Sequence, residues 1–332
     1  MKTALIFGVS GQDGAYLSRL LLDKGYFVHG TSRDAARQLF TGLQALGVRE
    51  RVTTHSLSML DSGELQRLID EVRPDEIYNL AGLSSVALSF VEPEMARESI
   101  AEAQARLLEV LRSSGAASRL YQSASSECFG DLPHGSSGDE RTPFAPRSPY
   151  AEAKAEAHRT TIHYRETYGL YAVSGIVCNH ESPLRTERFV TRKIFAAAAV
   201  AAAGSREKLA LGDMSASRDW GYAAEYVEAM WLMLQRDLPD DFVIATGESH
   251  TVEELASAAF AEFGLDYRDH VTVDSSFFRP TDLRYSRGNP SRARRELGWE
   301  ARTRFTGLVR LLADAERHAV GAKENQTLRA GS

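Results

Sequence analysis

The hydrophobic pattern of the first half alternates between two periods. Thr3 to Phe7 is a short apolar run, Gln12 to Lys24 repeats its apolar residues at helical spacing, and Phe27 to Gly30 returns to an apolar run. The alternation continues, with strands expected at Glu76 to Leu80 and Arg119 to Ala124, and helices at Met95 to Ser113 and Ala151 to Tyr168. Strand and helix in strict turn is the signature of a parallel sheet covered on both faces. The expected class is α/β, a Rossmann-type doubly wound sheet.

Beyond Gly175 the alternation becomes irregular. Asn179 to Arg192 is polar and charged, and later helical stretches are interrupted by returns to the sheet. The organisation expected is a dinucleotide-binding domain over 1–175, rejoined by segments from about 210–250. A smaller, interleaved ligand lobe would occupy most of 176–320, followed by a flexible tail over 321–332. The alanine tract Phe195 to Ala203 continues a helical pattern and reads as a closely packed helix. No internal repeat is evident.

Composition narrows the classes. With 332 residues, 43% hydrophobic and 25% charged, the chain can bury a large core. A formal net charge of −6 argues against nucleic acid as a partner, while leaving room for a local basic pocket. No run approaches eighteen apolar residues, so no membrane partner is expected. The opening Met1 to Gly8 reaches a glycine too soon for a secretory signal, which points to the cytoplasm. Cys128 and Cys178 fit no metal spacing and read as free buried thiols, with no metal site expected.

Gly8, Gly11 and Gly14 stand between the first strand and the first helix, with Ser10, Gln12 and Asp13 among them. That context turns a weak glycine pattern into a pyrophosphate site, since the helix start offers free N–H groups and a positive dipole end. At the end of the second strand, Arg33 stands where an acid would accept the ribose hydroxyls of NAD, and an arginine there favours the 2′-phosphate of NADP. The adjacent Asp34 keeps NAD open.

Tyr150 and Lys154 lie four residues apart, on one face of a helix, where the cation can favour a tyrosinate. Such spacing alone more often marks a surface pair; here it lies downstream of the glycine turn. Ahead of it, Ser125, Ser126 and Glu127 close an apolar strand, and strand carboxyl ends in an open parallel sheet face the ligand crevice. Ser125 could then bond the oxygen being oxidised and Glu127 act as a base. A helix-capping or surface acid is the simpler account of Glu127.

These stretches, together with Pro146 to Tyr150, Asn179 to Arg185, Phe189 to Lys193, Arg218 to Gly221, Tyr226 to Gln235, Phe278 to Pro280 and Leu297 to Trp299, resemble the GDP-mannose 4,6-dehydratases over nearly the whole chain. Ser126 stands where the sister dTDP-glucose 4,6-dehydratases place an Asp, which favours a GDP-linked hexose. The resemblance implies that Tyr150, supported by Lys154 and Ser125, oxidises C4 against NADP, that Glu127 removes the C5 proton as the C6 hydroxyl departs, and that hydride returns to C6. The product implied is the 4-keto-6-deoxy sugar.

By the same resemblance Ser58, Met59, Leu80, Ala81, His180 and Arg185 contact the cofactor. Ser84, Asn179, Val190, Lys193, Arg218, Arg279 and Asp282 contact the substrate, Arg218 and Arg279 as forks for diphosphate oxygens. A structural ion pair of Arg218 with Asp219 is the plainer alternative. A homodimer through the two helices flanking Lys154, or a homotetramer, is also implied.

The chain departs from the family pattern at several places. Arg33-Asp34-Ala35-Ala36 replaces a double arginine and serines that reach a neighbouring subunit, which puts the tetramer in question, and Leu57-Ser58 replaces a Gly-Asp that meets the adenine. Ser125 stands for Thr, and Leu83, Thr186, Asp282 and Arg284 alter the rim. A dehydratase of another GDP-sugar, such as a GDP-manno-heptose, a 4-reductase or epimerase, and a non-catalytic dinucleotide sensor therefore remain alternatives.

Overall fold

The computed structural model describes residues 1–330, with side chains to residue 319. Its centre is a seven-stranded parallel sheet. In chain order the strands are β1 (Thr3–Phe7), β2 (Phe27–Ser32), β3 (Val52–Ser56), β4 (Glu76–Asn79), β5 (Arg119–Ser125), β6 (Ala172–Val177) and β7 (Phe242–Ile244), arranged β7-β6-β5-β4-β1-β2-β3. The order reverses between β1 and β4, and their carboxyl ends open a crevice there.

Burial explains the apolar runs. Ala4, Leu5, Ile6 and Phe7 are all fully buried, because helices cover both faces of the sheet. One face carries the Gln12–Asp23 and Ala223–Met233 helices around Leu17, Leu21, Tyr226 and Met230. The other carries Ser62–Val72 and Ala103–Ser114 around Leu65, Leu107 and Leu108. The expected helix at Met95 to Ser113 is a helical stretch from Pro93 to Ser114 in which Arg97–Glu102 winds as a π-helix.

Past β6 the chain leaves the sheet and returns twice. Ala223–Met233 and β7 form the first return. The second, Ser291–Leu297 with Trp299 and Ala301 in the same core, lies outside the 210–250 window expected from the sequence. Outside these returns, three two-stranded pieces join distant residues: Asn179–Glu181 with Trp220–Tyr222, Ser217–Arg218 with His250–Thr251, and Leu209–Leu211 with Val271–Val273. Helices Val190–Ala202, Val252–Ala261 and Phe305–Ala330 give this lobe its own core around Phe195, Phe260 and Leu308.

The chain ends on a long helix. The last helix runs from Phe305 to Ala330, so 321–330 is helical, and Gly331 and Ser332 lie outside the described residues. The stretch lacks apolar periodicity but is rich in Ala, Lys, Glu, Gln and Arg, and an established helix extends through such residues at low cost. No described helix is long and apolar enough to cross a membrane.

Candidate active site

The carboxyl end of β5 builds the floor of a cleft of about 340 Å³. Ser125 ends the strand and caps a 3-10 turn, Ser126–Phe129, its Oγ accepting the Glu127 N–H at 3.3 Å. The turn closes at Gly130, whose φ is +71° and where a Cβ would overlap the Ala145 carbonyl, so no other residue fits. This sharp turn sends Glu127 back into the cleft instead of along a helix. Its carboxylate is 13% exposed, and its one described ionic neighbour is Arg218, with Nε 3.7 Å from Oε1.

The opposite wall is the Pro149–Tyr168 helix. Ser148 caps it by accepting the Ala151 N–H at 3.2 Å, and Pro149 occupies the first helical position, where its missing donor costs nothing. Tyr150 and Lys154 then share the face toward β5, with Nζ 5.9 Å from the phenol ring and donating to the Ser123 carbonyl at 2.6 Å. Burial lowers the Lys154 ammonium to about 8, against the opposing pull of Cys128 and Asp13. Burial raises the Tyr150 phenol above its ordinary value, and the Ser125 hydroxyl is the strongest influence the other way.

The glycine turn adjoins this cleft. Gly8 has φ +85°, and a Cβ there would stand 2.9 Å from the backbone of Leu80 and Ala81, so the turn lies directly against the end of β4. Gly11 caps the first helix and Gly14 packs on Gly8 and Val9, leaving Ser10 and Gly11 at the surface of the turn beside the helix N-terminus. This cradle fits a pyrophosphate. Arg33 lies exposed where β2 ends, without a described ion pair, whereas Asp34 turns away to Arg37, 3.6 Å from its Nε. Ser58 is occupied locally, its N–H donating to Glu64 at 3.1 Å, and Met59 packs toward the Leu65 core.

Gln12, Asp13 and His180 do something the sequence did not suggest: they bind one another. His180 Nε2 lies 2.8 Å from Asp13 Oδ2, His180 Nδ1 lies 2.7 Å from the Cys178 carbonyl, and Gln12 donates to the His180 carbonyl at 3.0 Å. Burial would raise the Asp13 carboxyl, but the adjacent imidazolium holds it below the usual range. His180 is correspondingly raised: burial alone would lower it, and Asp13 outweighs that. The pair brackets the Asn179–Glu181 strand to the glycine turn.

All ten residues expected at the substrate line this cleft, from Ser84 on one rim to Arg279 and Asp282 on the other. Of those expected at the cofactor, Asp13, Leu80, Ala81, Tyr150, Lys154, His180 and Arg185 line it too, while Gly8, Ser10, Gly11, Gln12, Gly14, Arg33, Ser58 and Met59 lie outside its lining, along the adjoining turn and strand ends. Arg185 stands 3.3 Å from Glu181 and stacks over Phe189. The proposed Arg218–Asp219 ion pair does not form. Asp219 accepts from Thr246, Gly247 and Gly288, and Arg218 pairs with Asp282 at 2.7 Å and faces Glu127.

Sequence reasoning missed Phe189, Trp220 and Phe277 in the lining, and Arg188, which donates to Ser84 at 3.4 Å. Phe277 and Phe278, adjacent exposed aromatics beside Arg279, were a readable signal. Both cysteines are buried and unpaired. Among the described residues no cluster of three or more His, Cys, Asp or Glu is placed to hold a metal.

A glycine-turn Rossmann sheet with Tyr and Lys on one helix and a carboxylate at the end of β5 defines an enzyme of the extended short-chain dehydrogenase type. More narrowly, the chain belongs to the GDP-mannose 4,6-dehydratase family, whose model matches residues 5–312. It is 46% identical to GDP-mannose 4,6 dehydratase 1 of Arabidopsis thaliana, covering 95% of this chain and 90% of that one. It is 40% identical to the Homo sapiens GDP-mannose 4,6 dehydratase, covering 95% and 91%. Among solved structures it superposes on the Thermus thermophilus UDP-glucose 4-epimerase in complex with NAD with a TM-score of 0.83, at 26% identity over 95% of this chain and 99% of that one.

Proposed function

We propose that the cleft converts GDP-D-mannose to GDP-4-keto-6-deoxy-D-mannose by internal oxidation, loss of water and reduction. The observation that carries this is the convergence of Tyr150, Lys154 and Glu127 in one cleft beside the glycine turn. The turn of Gly8, Ser10 and Gly11 and the neighbouring strand ends would hold a nicotinamide dinucleotide, which would supply hydride exchange, from C4 and back to C6, with no net change over a cycle. Exposed Arg33, with Asp34 turned to Arg37, supports NADP over NAD.

The chain's own residues move protons. The Lys154 ammonium works against the burial that raises the Tyr150 phenol and favours its phenolate, which accepts the C4 hydroxyl proton while Ser125 donates a hydrogen bond to the same oxygen. Once C4 is a carbonyl, the C5–H bond is acidic. Glu127 takes that proton, the C5 electron pair forms the C5–C6 double bond, and the C6 hydroxyl leaves as water with a proton returned from Glu127; hydride addition at C6 is matched by a proton to C5, which balances the one Tyr150 took from C4. A 4-reductase needs no base at C5, and this is why Glu127 in the cleft favours elimination over simple reduction.

Lys193 and Arg279, at the mouth, are suited to the diphosphate. We place a homodimer, through the Ala103–Ser114 and Pro149–Tyr168 helices, in the same reading.

Purified protein given GDP-mannose should yield a product one water lighter that carries a 4-ketone, detected by mass spectrometry. Glu127→Gln should abolish water loss while nicotinamide dinucleotide binding persists. If no GDP-hexose in a panel loses water, the proposal fails.

A further inference from the structure

After β4 the 80–84 segment lines the cleft, with the glycine turn against its first residues and Tyr150 packed near Leu83. A helix behind it holds it in place. The helical stretch from Pro93 to Ser114 contains, at Arg97–Glu102, the one π-wound turn among the described residues, and such turns recur at functional sites. Residues five apart on a regular α-helix point about 140° away from each other, and the wider i→i+5 winding closes that angle. Ser99 and Gln104 are five apart, and both reach the end of β4.

Ser99 Oγ accepts the Leu83 N–H at 3.1 Å and donates to the Met95 carbonyl at 2.6 Å. At Gly82, where φ is +116°, a Cβ would stand 2.8 Å from the Ser99 carbonyl oxygen, so the segment lies directly on the π-wound turn. Gln104 is fully buried. Asn79 Oδ1 accepts the Ala81 N–H at 3.2 Å, which leaves its amide nitrogen to donate, and it donates to Gln104 Oε1 at 2.7 Å. Gln104 Nε2 then donates to Thr161 Oγ1 at 3.0 Å, and Thr161 donates onward to the Ala157 carbonyl at 2.8 Å. Each link fixes the direction of the next.

Thr161 lies two turns beyond Lys154 on the same face of the Pro149–Tyr168 helix. The chain of bonds therefore ties the backbone of Ala81 to the helix that carries Tyr150 and Lys154, beside an apolar contact of Ile100 and Ala101 with Ala153 and Ala157. Neither Ser99 nor Gln104 lines the cleft.

We propose that Ser99 and Gln104 are positioning residues that set the gap between the 80–84 segment and the Tyr150/Lys154 helix. A dinucleotide reaching from the glycine turn to Tyr150 would lie along that segment, so the gap governs how closely C4 is presented for oxidation. The inference rests on the proposed dehydration and deepens it, since it assigns the spacing of the first step to two residues outside the cleft.

The test compares Gln104→Leu, Ser99→Ala and Ser99→Thr with wild type by two readouts. Amide hydrogen exchange of the protein without ligand reports the segment itself: exchange over 80–84 should quicken in Gln104→Leu and Ser99→Ala while β1 and β5 stay protected. The second readout is the rate constant at which reduced nicotinamide appears on mixing with GDP-mannose, each substitution being placed in a Glu127→Gln background, where water loss is blocked. Misplacement by about 1 Å costs on the order of a hundredfold, so Gln104→Leu should lower that rate constant by about that factor and Ser99→Ala, which removes one bond, by about tenfold.

A loss of folded protein lowers the amplitude and leaves the rate constant as it was. Ser99→Thr keeps the hydroxyl and should restore both readouts, and the Ser99 pair serves if Gln104→Leu does not fold. A wild-type rate constant in the folded variants, whatever the exchange over 80–84, overturns the inference and leaves the dehydratase reading standing. Wild type that removes water from no GDP-hexose overturns both.

Discussion

The floor and the rim of the cleft are built on different terms. The floor consists of strand ends and one capped helix, so Ser125, Glu127, Tyr150 and Lys154 come from two stretches of sequence, each internally rigid. The rim is assembled from residues far apart in the chain: Ser217–Arg218 meets Tyr285 and His250–Thr251, and Asp131 accepts the backbone N–H groups of Arg284 and Tyr285 at 2.9 and 3.1 Å. Proton chemistry needs sub-ångström placement, which regular elements supply. Ligand selection tolerates, and gains from, a wall that varies by substitution in irregular segments.

If the floor carries the chemistry, its removal should produce the largest effect. Tyr150→Phe deletes the proton acceptor and should lower kcat by about 10²–10⁴-fold with little change in KM, measured by product formation at saturating substrate. A fall confined to KM would put the tyrosine in binding. At the rim, Arg279→Ala should do the reverse, raising KM for the GDP-sugar by on the order of tenfold or more while kcat changes less. Calorimetric titration with GDP alone should show the same loss.

A third comparison sets the two ends of the cofactor cradle apart. Arg33→Ala should weaken NADP by on the order of tenfold, one charge-assisted contact, and leave NAD affinity nearly as it was, read by fluorescence titration of the reduced forms. Equal loss for both would show that Arg33 does not read the 2′-phosphate. The pH profile sharpens the floor further. Activity should decline above about 8 as Lys154 loses its proton, and Lys154→Arg, which stays charged, should shift that decline upward.

The smallest effect is on stability. Asp13 is lowered, so its contribution is complete above its ordinary 3.8 and is lost as pH falls through the depressed value. His180 is raised, so its contribution is complete below its ordinary 6.5 and is lost as pH rises through the elevated value. The gap in Tm between wild type and Asp13→Asn should therefore be widest between pH 3.8 and 6.5 and narrow on both sides. A gap independent of pH would mean that the bracket is not ionic.

The sheet was legible where both faces are buried. β1 is an apolar run because Ala4 to Phe7 are all buried, β5 shows its buried stretch at Leu120 to Gln122, and the glycine turn, the Ser148 cap and the Tyr150/Lys154 spacing are local features. β3, by contrast, is an edge strand reading Val-Thr-Thr-His-Ser with one buried residue, and it left no pattern to find. The return of Ser291–Leu297 escaped notice for a related reason, since a seven-residue helix is too short to show periodicity.

By itself the sequence determined the fold class, the glycine turn and the placing of Tyr150 and Lys154 on one helix face, since each depends on contacts within a few residues and on a period set by backbone geometry. Tertiary structure alone decided that Asp13 and His180 bind each other across 167 positions, that Asp219 holds loops instead of Arg218, and that Arg218 faces Glu127. A charged side chain taken out of water must find a counter-charge or a carbonyl. Which one it finds depends on how distant segments pack, and no spacing along the chain encodes that.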